Sequence, residues 1–190
     1  KPINVYGMCK AISEKIYMNY AERNKDTKIV LLRYGNVLES TASLIPFFKE
    51  LLIRGSKKLP ITHRDMTRFF MTLDGATKLI EWAYHNPKSH GKIAIPKIRS
   101  LKIIDIAKVL GQYFGHKDID LEFIGIKPGE KLHEELISSE ESLKTEKIDD
   151  YYLIGSEVIN DKPYSYNSFD SLMKSSNVKQ FLHKSGVSKI

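Results

Sequence analysis

The chain has 190 residues, of which 42% are hydrophobic and 28% are charged, and no run approaches the roughly 18 apolar residues that span a bilayer. Its net charge of +7 comes from lysines and arginines scattered along the whole sequence, so we expect a small anionic ligand and no nucleic acid. The single cysteine, Cys9, excludes a disulfide framework and is typical of a reducing compartment, which predicts a cytoplasmic globular protein.

The first predicted elements indicate an α/β fold. Apolar residues recur every three or four positions over Asn4–Asn24, which predicts an amphipathic helix. Lys28–Tyr34 contains a continuous apolar run, which is typical of a strand buried on both faces of a parallel sheet. The loop that follows the strand carries Asn36, and ligands bind beyond the ends of such strands. From position alone, Asn36 either contacts a ligand or makes the turn.

Short helices and strands alternate through the rest of the chain. In order, we predict a helix over Ser43–Ile53, strands over Pro60–Thr62 and Arg68–Thr72, a helix over Gly75–His85, a strand over Lys92–Pro96, a helix over Leu101–Phe114, a strand over Leu121–Ile126 and a short helix over Glu130–Ile137. The polar region beyond these elements is predicted to be an extended tail with one helix near Ser176–His183.

Tyr6 and Lys10 are the candidate catalytic residues. Residues four apart share a helix face, and an ammonium beside a phenol stabilises the phenolate, which can then exchange a proton with a hydroxyl. The sequence holds two further pairs at this spacing, Tyr84–Lys88 and Tyr113–Lys117. A proline interrupts the first and a glycine the second, so only Tyr6 and Lys10 begin a sustained helical pattern. The arrangement resembles the Tyr-x-x-x-Lys pair of short-chain dehydrogenase/reductases.

Four segments together resemble one branch of that superfamily. They are Pro2-Ile-Asn-Val-Tyr-Gly-x-x-Lys10, Arg33-Tyr-Gly-Asn-Val-Leu38, Pro60-Ile-Thr-x-x-x-Met-Thr-Arg-Phe-Phe-Met71 and Lys127-Pro-Gly-Glu-Lys-Leu-His-Glu-Glu-Leu136. In this order and at these spacings, the chain is similar to the C-terminal half of UDP-N-acetylglucosamine 4,6-dehydratases. These are CapD-like polysaccharide-biosynthesis members of the extended short-chain dehydrogenase/reductases. The resemblance implies an incomplete Rossmann-type parallel sheet with a small substrate-binding subdomain.

The resemblance also implies a reaction. NADP, or NAD, oxidises the sugar at C4, water is lost across C5 and C6, and the hydride returns to C6. Tyr6 and Lys10 would exchange the C4 hydroxyl proton and contact the cofactor. The implied contacts to the UDP-sugar come from Asn36, Arg68, Lys127 and Glu130. No metal site is predicted, and members of the family are often oligomeric, so a homo-oligomer is compatible with the resemblance.

The predicted division of the chain follows the same resemblance. Residues 1–37 and 68–98 would be the remaining part of the dinucleotide-binding domain. Residues 38–67 and 99–155 would form the sugar-nucleotide subdomain, and 156–190 the C-terminal tail. Three positions depart from the family pattern, where glycine, aspartate and arginine are usual, namely Glu39, His63 and Lys127. We expect these departures to affect substrate affinity.

The sequence lacks a glycine-rich phosphate-binding fingerprint, which a dinucleotide-binding fold needs between its first strand and helix. The chain also begins at Lys1 without an initiator methionine, directly before the predicted catalytic helix. We therefore expect a fragment that is inactive alone. Two alternatives are a related nucleotide-sugar epimerase or reductase and a non-catalytic module that binds a sugar nucleotide.

Overall fold

A computed structural model describes residues 2–187 of the chain. Its elements in chain order are α1 (Val5–Arg23), β1 (Leu31–Leu32), β2 (Asn36–Val37), α2 (Leu44–Ile53), β3 (Lys58–Ile61), β4 (Thr67–Met71), α3 (Leu73–His85), β5 (Ile93–Pro96), β6 (Ser100–Lys102), α4 (Ile103–Tyr113), β7 (Asp120–Phe123), β8 (Glu135–Ile137), α5 (Ser139–Ser142), β9 (Thr145–Ile148), β10 (Tyr151–Ile154), β11 (Tyr166–Asn167) and α6 (Ser175–Lys184). Each of the first five helices is followed by two or three strands, and this mixture confirms the α/β prediction.

The chain forms two compact units. The first unit contains the chain up to Tyr34 together with Asp74–Lys97 and Glu135–Asn167. The second unit contains Gly35–Leu73, Ile98–Glu134 and the chain from Ser168 onward. Within residues 2–187, no helix is long and apolar enough to cross a membrane.

The first unit is built on a four-stranded mixed sheet in the order β1-β5-β10-β9. β1 and β5 are parallel, with Leu31 opposite Ile93, whereas β10 runs antiparallel to both β5 and β9. The small core comprises Leu79, Ala83, Ala94 and Leu153. α1 contributes one buried residue, Ala21, and its predicted apolar stripe is exposed.

The second unit has a larger apolar core. Its sheets are β2-β4-β6 and β3-β7. The core joins residues of α2, α4 and α6, among which Phe48, Ile106, Leu110, Val178 and Leu182 are fully buried. Ile106 and Leu110 lie four residues apart on α4, as do Val178 and Leu182 on α6, so each of these two helices presents one apolar face to the core.

Of two predictions at the C-terminal side, one is wrong and the other is confirmed. Glu130–Ile137 is not a helix, because Glu135–Ile137 instead pairs as β8 with β11. Local charge spacing predicted helix, whereas the partner strand lies about thirty residues away in the sequence. The helix expected near Ser176–His183 is present as α6, and it is packed into the core of the second unit through Val178 and Leu182.

The structure divides the chain at other residues than the resemblance implied. β10 pairs with β5 through Tyr151 and Pro96, so residues 135–155 belong to the unit that contains β5. The predicted tail, 156–190, is shared, since its first part lies in the first unit and the part from Ser168 in the second. The assignment of cofactor and substrate to particular segments stays a prediction.

Candidate functional site

The predicted catalytic pair lies in the first turns of α1. Asn4 is the N-cap, and its Oδ1 accepts a 2.8 Å hydrogen bond from the backbone N–H of Gly7, which fixes where the helix begins. Lys10 lies one turn beyond Tyr6, with its Nζ 5.5 Å from the centroid of the phenol ring. Tyr6 is 73% exposed, so a hydroxyl of a ligand can reach the phenol oxygen. The structure brings these two predicted residues together.

A charged cluster that the sequence did not predict lies in the same unit. Arg33 donates from Nε and Nη2 to both carboxylate oxygens of Glu14, at 2.7 and 2.5 Å. It also donates from Nη1 and Nη2 to both oxygens of Glu141, at 2.9 and 2.7 Å. Two bidentate carboxylates around one guanidinium form a strongly directional arrangement.

The pKa values of Arg33 and Glu141 lie far from neutral pH. Burial lowers the pKa of Arg33, but hydrogen bonds and charge from Glu14 and Glu141 outweigh burial and raise it above its usual value. Burial likewise raises the pKa of Glu141, but hydrogen bonds from Arg33 and from the backbone N–H of Ser138 lower it to about 2. Arg33 and Glu141 therefore keep their charges across the physiological range.

Two sequence signals could have pointed to the cluster. Ser138 and Glu141 have the Ser-x-x-Glu spacing of a capping box, and the structure forms both of its reciprocal hydrogen bonds at the start of α5. Glu14 stands four residues beyond Lys10 and therefore continues the face of α1 that carries Tyr6. No local signal connects either glutamate with Arg33.

In the second unit, Arg68 is tied to the segment that follows β7. Its Nη1 donates to the carbonyl oxygens of Thr67 and Leu132, at 2.7 and 3.2 Å, and its Nη2 donates to that of Lys131 at 2.7 Å. Glu130 and Glu134 lie 3.8 and 3.6 Å from Nη2 and Nε, beyond hydrogen-bonding distance. Burial lowers the pKa of Arg68, although both carboxylates act in the opposite direction.

Glu130 and Lys127 flank the predicted Pro128-Gly129 turn. The backbone N–H of Glu130 donates to the carbonyl oxygen of Lys127 at 3.0 Å, and Gly129 has a φ of 79°, which favours glycine. Since Glu130 also approaches Arg68, the structure brings these two predicted contacts together. It thereby places Lys127 at the other end of the same short turn.

Asn36 is exposed on β2 and is held beside β4. A Cβ atom at the preceding Gly35 would lie 2.5 Å from the Cβ and the carbonyl oxygen of Phe69, so only glycine allows this close approach. The structure therefore explains how Asn36 is positioned, and its contact with a ligand stays a prediction.

The loop after Asn36 accounts for one departure from the family pattern. Glu39 forms an ion pair with Lys49, so its carboxylate is compensated within the unit. Both Glu39 and Ala42 have left-handed backbone, with φ values of 58° and 59°. Glycine, which is usual at position 39 in the family pattern, adopts this conformation without steric cost.

His63 and His133 both make hydrogen bonds within the second unit. His63 Nδ1 accepts from the backbone N–H of Asp65 at 3.1 Å, and His133 Nδ1 lies 2.8 Å from the hydroxyl oxygen of Thr67. Burial lowers the pKa of His133, and the charge of Arg68 adds to this effect. In the described part of the chain, no group of three or more His, Cys, Asp or Glu residues could hold a metal ion.

Comparison with known proteins gives consistent matches. A family model described as polysaccharide biosynthesis protein matches residues 1–156. The chain is 43% identical over 155 residues to a UDP-N-acetylglucosamine 4,6-dehydratase (inverting) of Campylobacter jejuni, covering 80% of this chain and 45% of that protein. It is 39% identical over 155 residues to a UDP-glucose 4-epimerase of Rickettsia canadensis, with the same coverage of 80% and 45%.

Solved structures share the fold. The structure of Pen from Bacillus thuringiensis has a TM-score of 0.87 and 29% identity, and the match covers 98% of this chain and 59% of that chain. Several solved dehydratases and epimerases cover 68–70% of this chain at 16–23% identity, which shows the fold alone. The chain spans about half the length of the curated relatives it matches. It therefore belongs to the polysaccharide biosynthesis protein family and shares the fold of these solved structures.

Proposed function

We propose that this chain supplies the proton-transfer pair and part of the substrate contacts of an NAD(P)-dependent nucleotide-sugar 4,6-dehydratase. The substrate would be UDP-N-acetylglucosamine, and the product a 4-keto-6-deoxy sugar nucleotide used in polysaccharide or glycan synthesis. The observation that carries the proposal is the exposed Tyr6–Lys10 pair at the start of α1. The identity of 43% to a protein named for that activity supports the choice of reaction.

In this proposal, Tyr6 and Lys10 act on the C4 hydroxyl. The phenolate oxygen of Tyr6 accepts the hydroxyl proton, and the Lys10 ammonium stabilises the negative charge on that oxygen. Both side chains are exposed on one helix face, so the sugar hydroxyl can approach the phenol without any rearrangement of α1.

The nicotinamide cofactor would supply hydride acceptance and donation when bound. Solved structures that share this fold contain bound NAD, which supports this class of cofactor. The residues present fit one part of it, because the exposed Lys10 ammonium offers N–H donors suited to the ribose hydroxyls.

The predicted contacts to the nucleotide are a separate set of side chains. Arg68 offers a guanidinium whose Nε and Nη2 face carboxylates beyond hydrogen-bonding distance, and phosphate oxygens would make stronger charge-assisted bonds there. Lys127 adds a positive charge and Glu130 an acceptor on the neighbouring turn. Asn36 would donate or accept through its exposed amide.

The proposal is tested by replacing the phenol in the natural protein that contains this chain. We expect wild type to convert UDP-N-acetylglucosamine into a dehydrated 4-keto product, measured by mass spectrometry and NMR. Tyr6→Phe should lower kcat by at least about 100-fold, because general acid–base catalysis contributes 10²–10⁴-fold.

Tyr84→Phe is the matched control, since Tyr84 is 69% exposed and has a lysine at the same spacing. It should retain wild-type kcat. Normal activity of Tyr6→Phe would remove Tyr6 from the mechanism. UDP binding by wild type without any product would instead favour the non-catalytic alternative.

A further inference from the structure

The face of α1 that carries the catalytic pair also carries a mostly buried carboxylate. Tyr6, Lys10 and Glu14 follow one another at intervals of four residues and therefore share one side of the helix. The side chain of Glu14 is only 15% exposed, whereas apolar residues elsewhere on α1 are exposed, for example Ile12 at 61%. Glu14 is thus the point at which this face is fixed to the rest of its unit.

All of the N–H donors of the Arg33 guanidinium make hydrogen bonds, and two of them hold Glu14. A guanidinium has five N–H donors. Four of them bind the carboxylate oxygens of Glu14 and Glu141, and the fifth, on Nη1, binds the carbonyl oxygen of Leu136 at 3.0 Å. Nε and Nη2 bind the two oxygens of Glu14 directly, so this edge of the planar group sets the position of that carboxylate.

The base of the Arg33 side chain is anchored as well. Its backbone N–H donates to the carbonyl oxygen of Ala94 in β5 at 3.1 Å, directly beyond the paired residues of β1. The arginine therefore connects the sheet of the first unit with the middle of α1. The second fixed point on α1 is Ala21, which is buried and whose carbonyl oxygen lies 3.0 Å from His90 Nε2.

We propose that Arg33 and Glu14 are positioning residues for the reaction, because together they set the rotation and depth of α1 and hence the orientation of Tyr6 and Lys10. This inference rests on the proposed function. Glu14 lies one turn from Lys10, so rotation of the helix about its axis moves the phenol oxygen directly. Misplacement of a catalytic group by about 1 Å can cost on the order of 100-fold in rate.

Glu141 has a different role in the same cluster. It binds the opposite edge of the guanidinium and is held by the capping box at the start of α5. Its loss would leave the Arg33–Glu14 hydrogen bonds in place. The inference therefore separates the two carboxylates, since Glu14 affects the orientation of the catalytic pair and Glu141 mainly affects stability.

The test uses the natural protein with its cofactor and UDP-N-acetylglucosamine. Glu14→Gln keeps the shape of the side chain but removes its charge and one acceptor oxygen. We expect it to lower kcat by about 10- to 100-fold, with KM within about twofold and with a changed pH at which kcat falls. Arg33→Lys should give the same pattern, because lysine cannot reproduce the bidentate contact.

Two variants serve as controls. Glu22→Gln makes the same change at an exposed position of α1 and should leave kcat, KM and the pH profile unchanged. Glu141→Gln should lower the melting temperature while retaining kcat within about threefold. The soluble, folded fraction of each variant is measured by thermal melting, so that rates refer to folded enzyme.

Wild-type kcat in Glu14→Gln would overturn the inference. A variant that loses activity only in proportion to its unfolded fraction, with an unchanged pH profile, would overturn it equally, because the cluster would then be purely structural. Absence of product from wild type would contradict the proposed function instead, so the two failures are distinguishable.

Discussion

α1 in the first unit and α4 in the second have similar apolar spacing but opposite environments. Ile106 and Leu110 of α4 are fully buried, whereas Val5 and Ile16 of α1 are 76% and 60% exposed. α4 is stabilised by apolar packing within its own core. α1 is held instead by a capped start, the Glu14–Arg33 hydrogen bonds and one buried alanine. Periodicity thus predicts that a helix forms, whereas its burial depends on a partner surface.

Truncation of one apolar side chain on each helix should give the largest difference in stability between the two helices. Leu110→Ala should lower the free energy of unfolding by about 2–5 kcal/mol, because it leaves a cavity in a closely packed core. Ile12→Ala should change it by less than about 0.5 kcal/mol, since that side chain is 61% exposed. Urea unfolding of the two variants measures both values. Equal losses would mean that the apolar stripe of α1 is covered in solution.

A pH titration tests how much the ionised carboxylate of Glu141 contributes to the stability of the fold. The pKa of Glu141 is lowered from 4.5 to about 2, so its ionised form stabilises the fold above about pH 4.5. This contribution is lost as the pH falls from about 4.5 to about 2, and it amounts to roughly 1–2 kcal/mol after allowance for solvent screening.

Urea midpoints between pH 7 and pH 2.5 would show the loss, and Glu141→Gln should flatten this part of the profile. Leu110→Ala should keep the wild-type slope, since it removes no titratable group. An unchanged slope in Glu141→Gln would show that other carboxylates cause the acid sensitivity.

The capping box of α5 should have a smaller effect. Ser138→Ala removes the side-chain acceptor for the backbone N–H of Glu141 and should cost about 1 kcal/mol. Ser139→Ala, at the exposed neighbouring position, should cost less than about 0.5 kcal/mol. Thermal unfolding of the pair measures the difference, and equal melting temperatures would show that the cap does not contribute to stability.

Replacement of alanine by glycine gives the smallest expected effect. The change in the free energy of unfolding should have opposite signs at a left-handed loop position and in a helix interior. Ala42→Gly should stabilise by about 0.5–1 kcal/mol, because glycine adopts the left-handed conformation at that position without a Cβ clash. Ala11→Gly, in the interior of α1, should destabilise by about the same amount. Parallel urea unfolding curves would show the two signs. A destabilised Ala42→Gly would mean that this loop is not strained.

The sequence predicted what depends on local pattern. α1 was expected over Asn4–Asn24 and forms over Val5–Arg23, and this helix alone brings Tyr6 and Lys10 together. The family resemblance and the α/β fold followed from short motifs. The error at Glu130–Ile137 arose because β8 is formed by pairing with a distant strand, a partner that no local pattern reveals.

The Arg33 cluster could not be predicted for a related reason. Its partners Glu14 and Glu141 lie 19 and 108 residues away in the sequence, so they meet only once the fold has formed. Arg33 begins a family motif and Glu141 completes a capping-box spacing, but neither pattern identifies the other members of the cluster. The structure shows instead that the three side chains are mostly buried together.

The central claim is tested most directly by following a deuterium label from C4 of UDP-N-acetylglucosamine in the natural protein that contains this chain. A 4,6-dehydratase removes the label from C4 and returns it to C6 while one water is lost. We predict a dehydrated 4-keto product with deuterium at C6, formed by wild type and by Tyr84→Phe but not by Tyr6→Phe. A product that has lost no water, keeps deuterium at C4 and has inverted configuration at C4 would contradict the account and show an epimerase.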